Sequence, residues 1–128
     1  MKKSISKLKK DLDKIYSEYI RSKDANFRGN VRCYTCGKIF HWKQVDCGHY
    51  ESRSHNNTRY DERNTKPQCK SCNIWKRGNL TIFAVKLQKE YGTGILEELR
   101  KKASRTKQFT IKELEKSIEC YKDKLKEL

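Results

Sequence analysis

The chain has 128 residues, room for one domain; 34% are hydrophobic and 37% charged, so the core is thin and a staple is expected: a metal, a disulfide or a partner chain. Lys and Arg outnumber Asp and Glu by 31 to 16, and the excess is spread along the chain, which excludes a single basic tail as its source and favours a polyanion partner, most simply nucleic acid, over a merely soluble basic protein. No apolar run nears the ~20 residues of a membrane span and no signal-peptide core follows Met1, so a reducing cytoplasm is expected, where six cysteines read as metal ligands before disulfides.

Residues 5–22 place Ile5, Leu8, Leu12, Ile15, Tyr16 and Tyr19 at steps of three and four, which predicts a helix with one apolar stripe. Asn26 to Asn30, with Gly29, ends this unit in a loop. Val31 to Lys38 reads as a strand turning through a metal knuckle, Ile39 to Val45 as short and β-prone, and Asp46 to Arg53 as the next strand or its turn. Ser54 to Thr58 is loop-like. Pro67 leads into Cys69 to Lys76, where a helix can begin, so the expected order is two short strands and then a helix. Beyond residue 79 the chain is helical. Asn79 is a suitable N-cap for 80–91, Gly92 and Gly94 break that helix, a short one covers about 95–103, and Thr110-x-x-Glu113 is a capping box. Ile111, Leu114, Ile118, Tyr121, Leu125 and Leu128 then form a seam for the first helix or for a second subunit. One domain is expected, in three parts: 1–30, 31–79 and 80–128.

Cys33-x-x-Cys36 and Cys69-x-x-Cys72 offer four thiolates in two knuckles, which suit a closed, structural tetrahedral zinc; plain thiols, a redox pair and an iron cluster are the competing readings. Residues 37–68 separate the pairs, more than the ~15–20 of a compact zinc ribbon, so something is inserted there. Cys120, beside the last seam, and Cys47 read as small apolar packing.

The insertion carries groups for phosphodiester hydrolysis, which needs a base for water, a divalent cation for the developing charge, and donors that hold the backbone. Asp46, His49, Asn64 and Asn73 are the candidates for base and for hard oxygen ligands of Mg²⁺ or Mn²⁺; Arg53, Arg59, Lys76 and Arg77 are the candidate phosphate donors. Asn73 directly follows the last thiolate, so a zinc fixes where its side chain points, and Asn64 can tie down the loop facing His49. Each residue has a plainer reading: His49 as a structural histidine, Asp46 as a turn residue, Asn73 as a cap, the cations as solvated charge. His41 and His55 fit no motif, and Trp42 and Trp75 read as core rather than as base-stacking wedges.

His49 on a hairpin, then Asn64, then Asn73 at a helix start, threaded through two knuckles, resembles the HNH (His-Me finger, ββα-metal) nucleases. Asp46-Cys-Gly-His49-Tyr50, Asn64-x-x-x-Gln68-Cys69-x-x-Cys72-Asn73, Gly78-Asn79-Leu80 and the tail from Tyr121 to Leu128 are similar to the NinG (Rap) family of lambdoid phage recombination proteins. The likeness runs over nearly the whole chain and is most specific over 33–80. It implies an α+β fold, with a zinc-stapled ββα-metal (HNH) core flanked by N- and C-terminal helices. It implies a phage-encoded, Mg²⁺-dependent endonuclease acting on branched DNA such as Holliday junctions and D-loops. By position it makes His49 the general base, Asn64 the support of the hairpin and Asn73 a metal ligand. Many such enzymes carry a metal-binding Asp immediately before the histidine, where this chain has Gly48; Asp46, on the same strand face, is the expected substitute, with Glu51, Asp61 and Glu62 as alternatives. Resolving a junction takes two cuts, so a homodimer through the first and last helices is expected. A zinc-dependent DNA-binding accessory without cleavage and a sequence-specific HNH nuclease are the competing functions.

Overall fold

The computed structural model describes residues 3–128. Helix α1 (Ile5–Ser22) is followed by strands β1 (Asn30–Arg32) and β2 (Ile39–His41), a 3₁₀ turn, strand β3 (Asp46–His49), the single-turn helix α2 (Asn56–Arg59), strand β4 (Thr65–Gln68), one π-helical turn (Ser71–Trp75), and helices α3 (Leu80–Tyr91), α4 (Ile95–Ser104) and α5 (Ile111–Lys126). The result is a mixed α+β fold with two small antiparallel sheets, β1–β2 and β3–β4.

The stripe of α1 forms because its apolar residues recur with the helical period, and Ser4 caps it by accepting from the Lys7 amide. It buries Leu8, Leu12, Tyr16 and Ile20 against Leu114, Ile118 and Tyr121 of α5, whose first turn is closed by Thr110 accepting from the Glu113 amide. The two stripes that a dimer was expected to use therefore cover each other within one chain. Tyr16 links this core to the hairpin: its ring meets Tyr60 and Tyr121 edge-on, at 5.3 and 4.9 Å, and its hydroxyl lies 2.6 Å from that of Thr65. A second cluster joins Phe83 and Leu87 of α3 to Ile95 and Leu99 of α4, with Tyr34 and Tyr50 packed against it.

The partner of the strand carrying His49 is Thr65–Gln68, not the β-prone segment before it. Asp46 lies opposite Gln68 and His49 opposite Thr65. Pro67 is tolerated there because both strands of a two-stranded sheet are edges. The segment read as a helix start at Cys69 makes one π turn, and α2 begins within the expected loop at Ser54–Thr58. Asn79 is not a side-chain cap: it adopts φ 47°, ψ 49°, and its side-chain Nδ2 donates to Cys72 Sγ at 3.6 Å. Trp75 is 82% exposed rather than core, while Trp42 is partly covered, with the Arg21 guanidinium 5.2 Å from its ring centre. Cys120 is exposed rather than packed. Among the described residues no helix is long and apolar enough to cross a membrane.

Candidate functional site

Each knuckle is shaped by its backbone. Cys33 donates to the Lys38 carbonyl at 2.8 Å and accepts from Gly37 at 2.9 Å, a turn that places Gly37 at φ +77° and so suits glycine. In the second knuckle the Cys72 amide donates to Cys69 Sγ at 3.4 Å. The Sγ atoms of Cys33, Cys36, Cys69 and Cys72 all lie within 4.8 Å of one another. Cys36 and Cys69 are 3.8 Å apart, the edge expected at about 3.8 Å for a tetrahedron with ~2.3 Å Zn–S bonds. Burial and neighbouring thiols push Cys69 up to about 12; burial also opposes charging Cys33, but hydrogen bonds from Thr35 and backbone amides outweigh it and bring that thiol to about 6. Four such groups become thiolates together only around a cation, so the set fits a metal ion such as zinc.

His49 ends β3. Its Nε2 lies 2.9 Å from the Arg59 carbonyl, which only accepts, so Nε2 carries the proton and Nδ1 keeps the lone pair. Burial, aided by the nearby Arg53 charge, holds the imidazole below its ordinary value against the opposing pull of that carbonyl, so the ring is neutral at pH 7. The carbonyl is fixed from the side-chain end. Arg59 donates to Asp13 of α1 (Nε to Oδ1, 3.0 Å) and to the Arg53 carbonyl (2.7 Å), and Tyr60 donates to the same carboxylate at 2.7 Å. Burial raises Asp13, but the hydrogen bonds from Arg59 and Tyr60 win and leave its carboxyl below the usual range.

Asn64 is fully buried and ties down the loop after His49. Its Oδ1 accepts from the Glu51 amide at 2.7 Å, and its Nδ2 donates to the carbonyls of Glu51 at 3.0 Å and Thr58 at 3.1 Å. Its own carbonyl accepts from the Tyr50 amide at 2.9 Å, extending the hairpin beyond His49.

Asp46 and Asn73 meet. Asn73 Nδ2 donates to Asp46 Oδ2 at 3.0 Å, and the other carboxylate oxygen is ion-paired with Lys70. Two of the alternative acids are engaged elsewhere: Asp61 with Arg63 and Lys102, Glu62 with Tyr121 and Lys124. At Gly48 an added Cβ would lie 2.0 Å from Gln68 Oε1, so the position next to the histidine has no room for an aspartate.

Asp46, His49 and Asn73 line one cleft of about 630 Å³ beside α1, with Arg21, Lys43, Arg53 and Lys70 among its cations. Of the expected phosphate donors only Arg53 lines it. Arg59, its side chain 14% exposed, is engaged with Asp13 and acts as a positioning residue. Lys76 and Arg77 are exposed outside the cleft and make no ion pair among the described residues. Sequence reasoning missed Arg21, Lys43, Lys70 and Asp13. Only Lys70 carried a local signal, its place inside Cys69-x-x-Cys72. The Cys47 thiol is pushed up to about 12 by burial and is inert packing.

A family model described as Bacteriophage Lambda NinG protein matches residues 1–128. The chain is 31% identical over 120 residues to Protein ninG of Escherichia phage 933W, covering 93% of this chain and 57% of that protein. It shows the same identity over the same length to Protein ninG of Escherichia phage lambda and of Salmonella phage P22, covering 93% of this chain and 56% of each. The chain thus spans a little over half the length of these curated relatives. No solved structure matches it. With the model matched end to end, the chain belongs to the bacteriophage NinG family.

Proposed function

We propose that this chain is a metal-dependent endonuclease that cuts branched DNA, with a ββα-metal (HNH) site built on β3, β4 and the π-helical turn. The observation that carries the reading is a neutral imidazole, oriented through Nε2 by a backbone carbonyl, in a basic cleft that also holds Asp46 and Asn73. His49 Nδ1 takes the proton from the attacking water. Asp46 and Asn73 would hold Mg²⁺ or Mn²⁺, since one carboxylate and one amide oxygen, completed by waters, are the sparse hard set such an ion accepts. When bound, the ion supplies stabilisation of charge on the phosphate and leaving oxygen. Arg21, Lys43 and Arg53 neutralise the backbone entering the cleft. The branched substrate follows from the resemblance to phage recombination proteins. Two cuts need two sites, so two copies act together on one junction, through a surface other than the mutually covered α1 and α5 stripes.

One observation favours the rival reading of a zinc-dependent DNA binder that does not cut: Lys70 holds the carboxylate a catalytic ion would need. The test is cleavage of a synthetic four-way junction in Mg²⁺, beside a linear duplex of the same sequence, by wild type and His49→Ala. Junction cutting that falls about 10²–10⁴-fold in the variant is expected. Equal cutting of the linear duplex would remove the junction preference. Tight binding without cutting in Mg²⁺ or Mn²⁺ would install the rival.

A further inference from the structure

The knuckle that carries Asn73 ends in an exposed apolar tip. Ile74 is 55% exposed and Trp75 82%, and neither joins a core cluster. Exposure alone marks no site, since Phe27 is 91% exposed as well; what sets this tip apart is its anchored backbone and its flanking cations. The tip is held firmly. The backbone amide of Lys76 donates to the Ser71 carbonyl at 2.9 Å, that of Arg77 to the Ile74 carbonyl at 3.2 Å and that of Gly78 to the Cys72 carbonyl at 2.9 Å, while Gln68 Nε2 holds the Gly78 carbonyl at 2.8 Å. Arg77, Gly78 and Asn79 follow with φ of 51°, 92° and 47°, a left-handed run that disfavours a residue such as Arg77 and persists because the backbone on both sides is pinned. The aromatic ring is therefore carried by an anchored backbone and joins no core cluster.

The charge around the tip selects its partner. Between Glu62 and Glu90 the sequence has no acidic residue and seven basic ones, among them Lys70, Lys76 and Arg77 beside the tip. A second copy docking through the same tip would bring Lys70, Lys76 and Arg77 against their own counterparts and be repelled there. A partner with a negative backbone and flat π faces satisfies both features at once. Stacked duplex hides those faces; unpaired or unstacked bases at a branch present them.

We propose that Trp75 stacks on an exposed base at the branch point of DNA, with Lys76 and Arg77 on the flanking phosphates. This rests on the branched-DNA reading but not on cleavage. The experiment measures binding, without added divalent metal, to a four-way junction carrying 2-aminopurine at the branch and to a linear duplex. Wild type, Trp75→Ala and Trp75→Phe are compared. Expected is a 2-aminopurine signal on binding that Trp75→Ala loses and Trp75→Phe keeps, with junction affinity of the alanine variant down roughly 5- to 150-fold and duplex affinity unchanged. Zinc content and melting temperature stay those of the wild type, since Trp75 packs on no core cluster. A wild type that binds no junction overturns the proposal, as does an alanine variant with wild-type junction binding and signal, or with equal loss on both DNAs. So does a change in sedimentation of the DNA-free alanine variant, which would place Trp75 in a protein interface. An uncut junction in Mg²⁺ sinks the nuclease and leaves this result standing; a wild-type-like Trp75→Ala sinks the wedge and leaves the nuclease.

Discussion

Gly48→Ala tests whether the hairpin and the two knuckles form one packed unit. A Cβ at residue 48 would meet Gln68 Oε1 at 2.0 Å, Cδ at 2.7 Å and Cγ at 2.9 Å. No left-handed backbone is involved, so the effect is steric alone. Gln68 is fully buried and cannot swing into solvent. Its Nε2 donates to Thr35 Oγ1 in the first knuckle at 3.2 Å and to the Gly78 carbonyl beyond the second at 2.8 Å. Making room means breaking both bonds inside the fold. Overpacking costs about 1–3 kcal/mol, and stranding buried partners adds about 1–3 kcal/mol, so a loss of about 2–6 kcal/mol is expected. Gln68 Oε1 has no partner to lose, which keeps the figure from rising further. The assay is guanidinium unfolding with zinc present, for Gly48→Ala, Gln68→Ala and the double variant. Gln68→Ala alone destabilises, but in its background the second change costs little, since the clashing atoms are gone. Additive losses, or a Gly48→Ala variant within ~0.5 kcal/mol of wild type, would refute the packing argument.

If the four-cysteine cluster holds a metal such as zinc, chelation, or replacing Cys72 by Ser, should collapse the structure of residues 31–79, read as loss of near-ultraviolet dichroism and release of titratable thiols. Asp13→Asn should lower stability by about 1–3 kcal/mol, since the partly buried Arg59 loses its charged partner. Because the folded Asp13 carboxyl sits below its ordinary 3.8, that stabilisation is present above this value and is lost as pH falls through the folded one, so the two unfolding curves should converge in acid. Burial holds His49 below 6.5, so cutting should be flat at neutral pH and fall only on the acid side, and Arg53→Gln, by removing a repelling charge, should move that acid limb to higher pH in an imidazole NMR titration.

What the sequence made legible was what local spacing encodes. The apolar steps of α1 and α5 matched the observed helices because burial on one face leaves a helical period, and two Cys-x-x-Cys pairs identify a four-sulfur cluster without knowledge of the fold. β4 left no such trace. Its residues are held by polar burial: Thr65 against Tyr16, Lys66 against Tyr91, Gln68 between Thr35 and Gly78. Arg59 read as a phosphate donor because its partner, Asp13, lies on a helix far back in the chain. Trp75 read as core because aromatic residues usually are, and only the structure shows that nothing covers it.

The ambiguity at Asp46 is resolvable by weighing Lys70. For Asp46 and Asn73 to bind one ion, Lys70 must leave the carboxylate and Asn73 must present Oδ1 in place of Nδ2. Lys70 has a 59% exposed side chain, so its pairing is worth about 0–1 kcal/mol and yields readily to a divalent ion. Lys70→Ala should therefore tighten the Mg²⁺ dependence of cutting by up to about fivefold, while Asp46→Ala raises the Mg²⁺ requirement or abolishes cutting. If Lys70 also contacts DNA, its loss weakens junction binding in the same titration series, an effect separable because it is present without Mg²⁺. Unchanged Mg²⁺ half-saturation in both variants would remove Asp46 from the metal. Gly48 leaves no space for the acid usually found beside the histidine, so that outcome would leave Asn73 and Glu51 as the remaining candidates, too few charges for a tight site, and the binder without cleavage would become the better account.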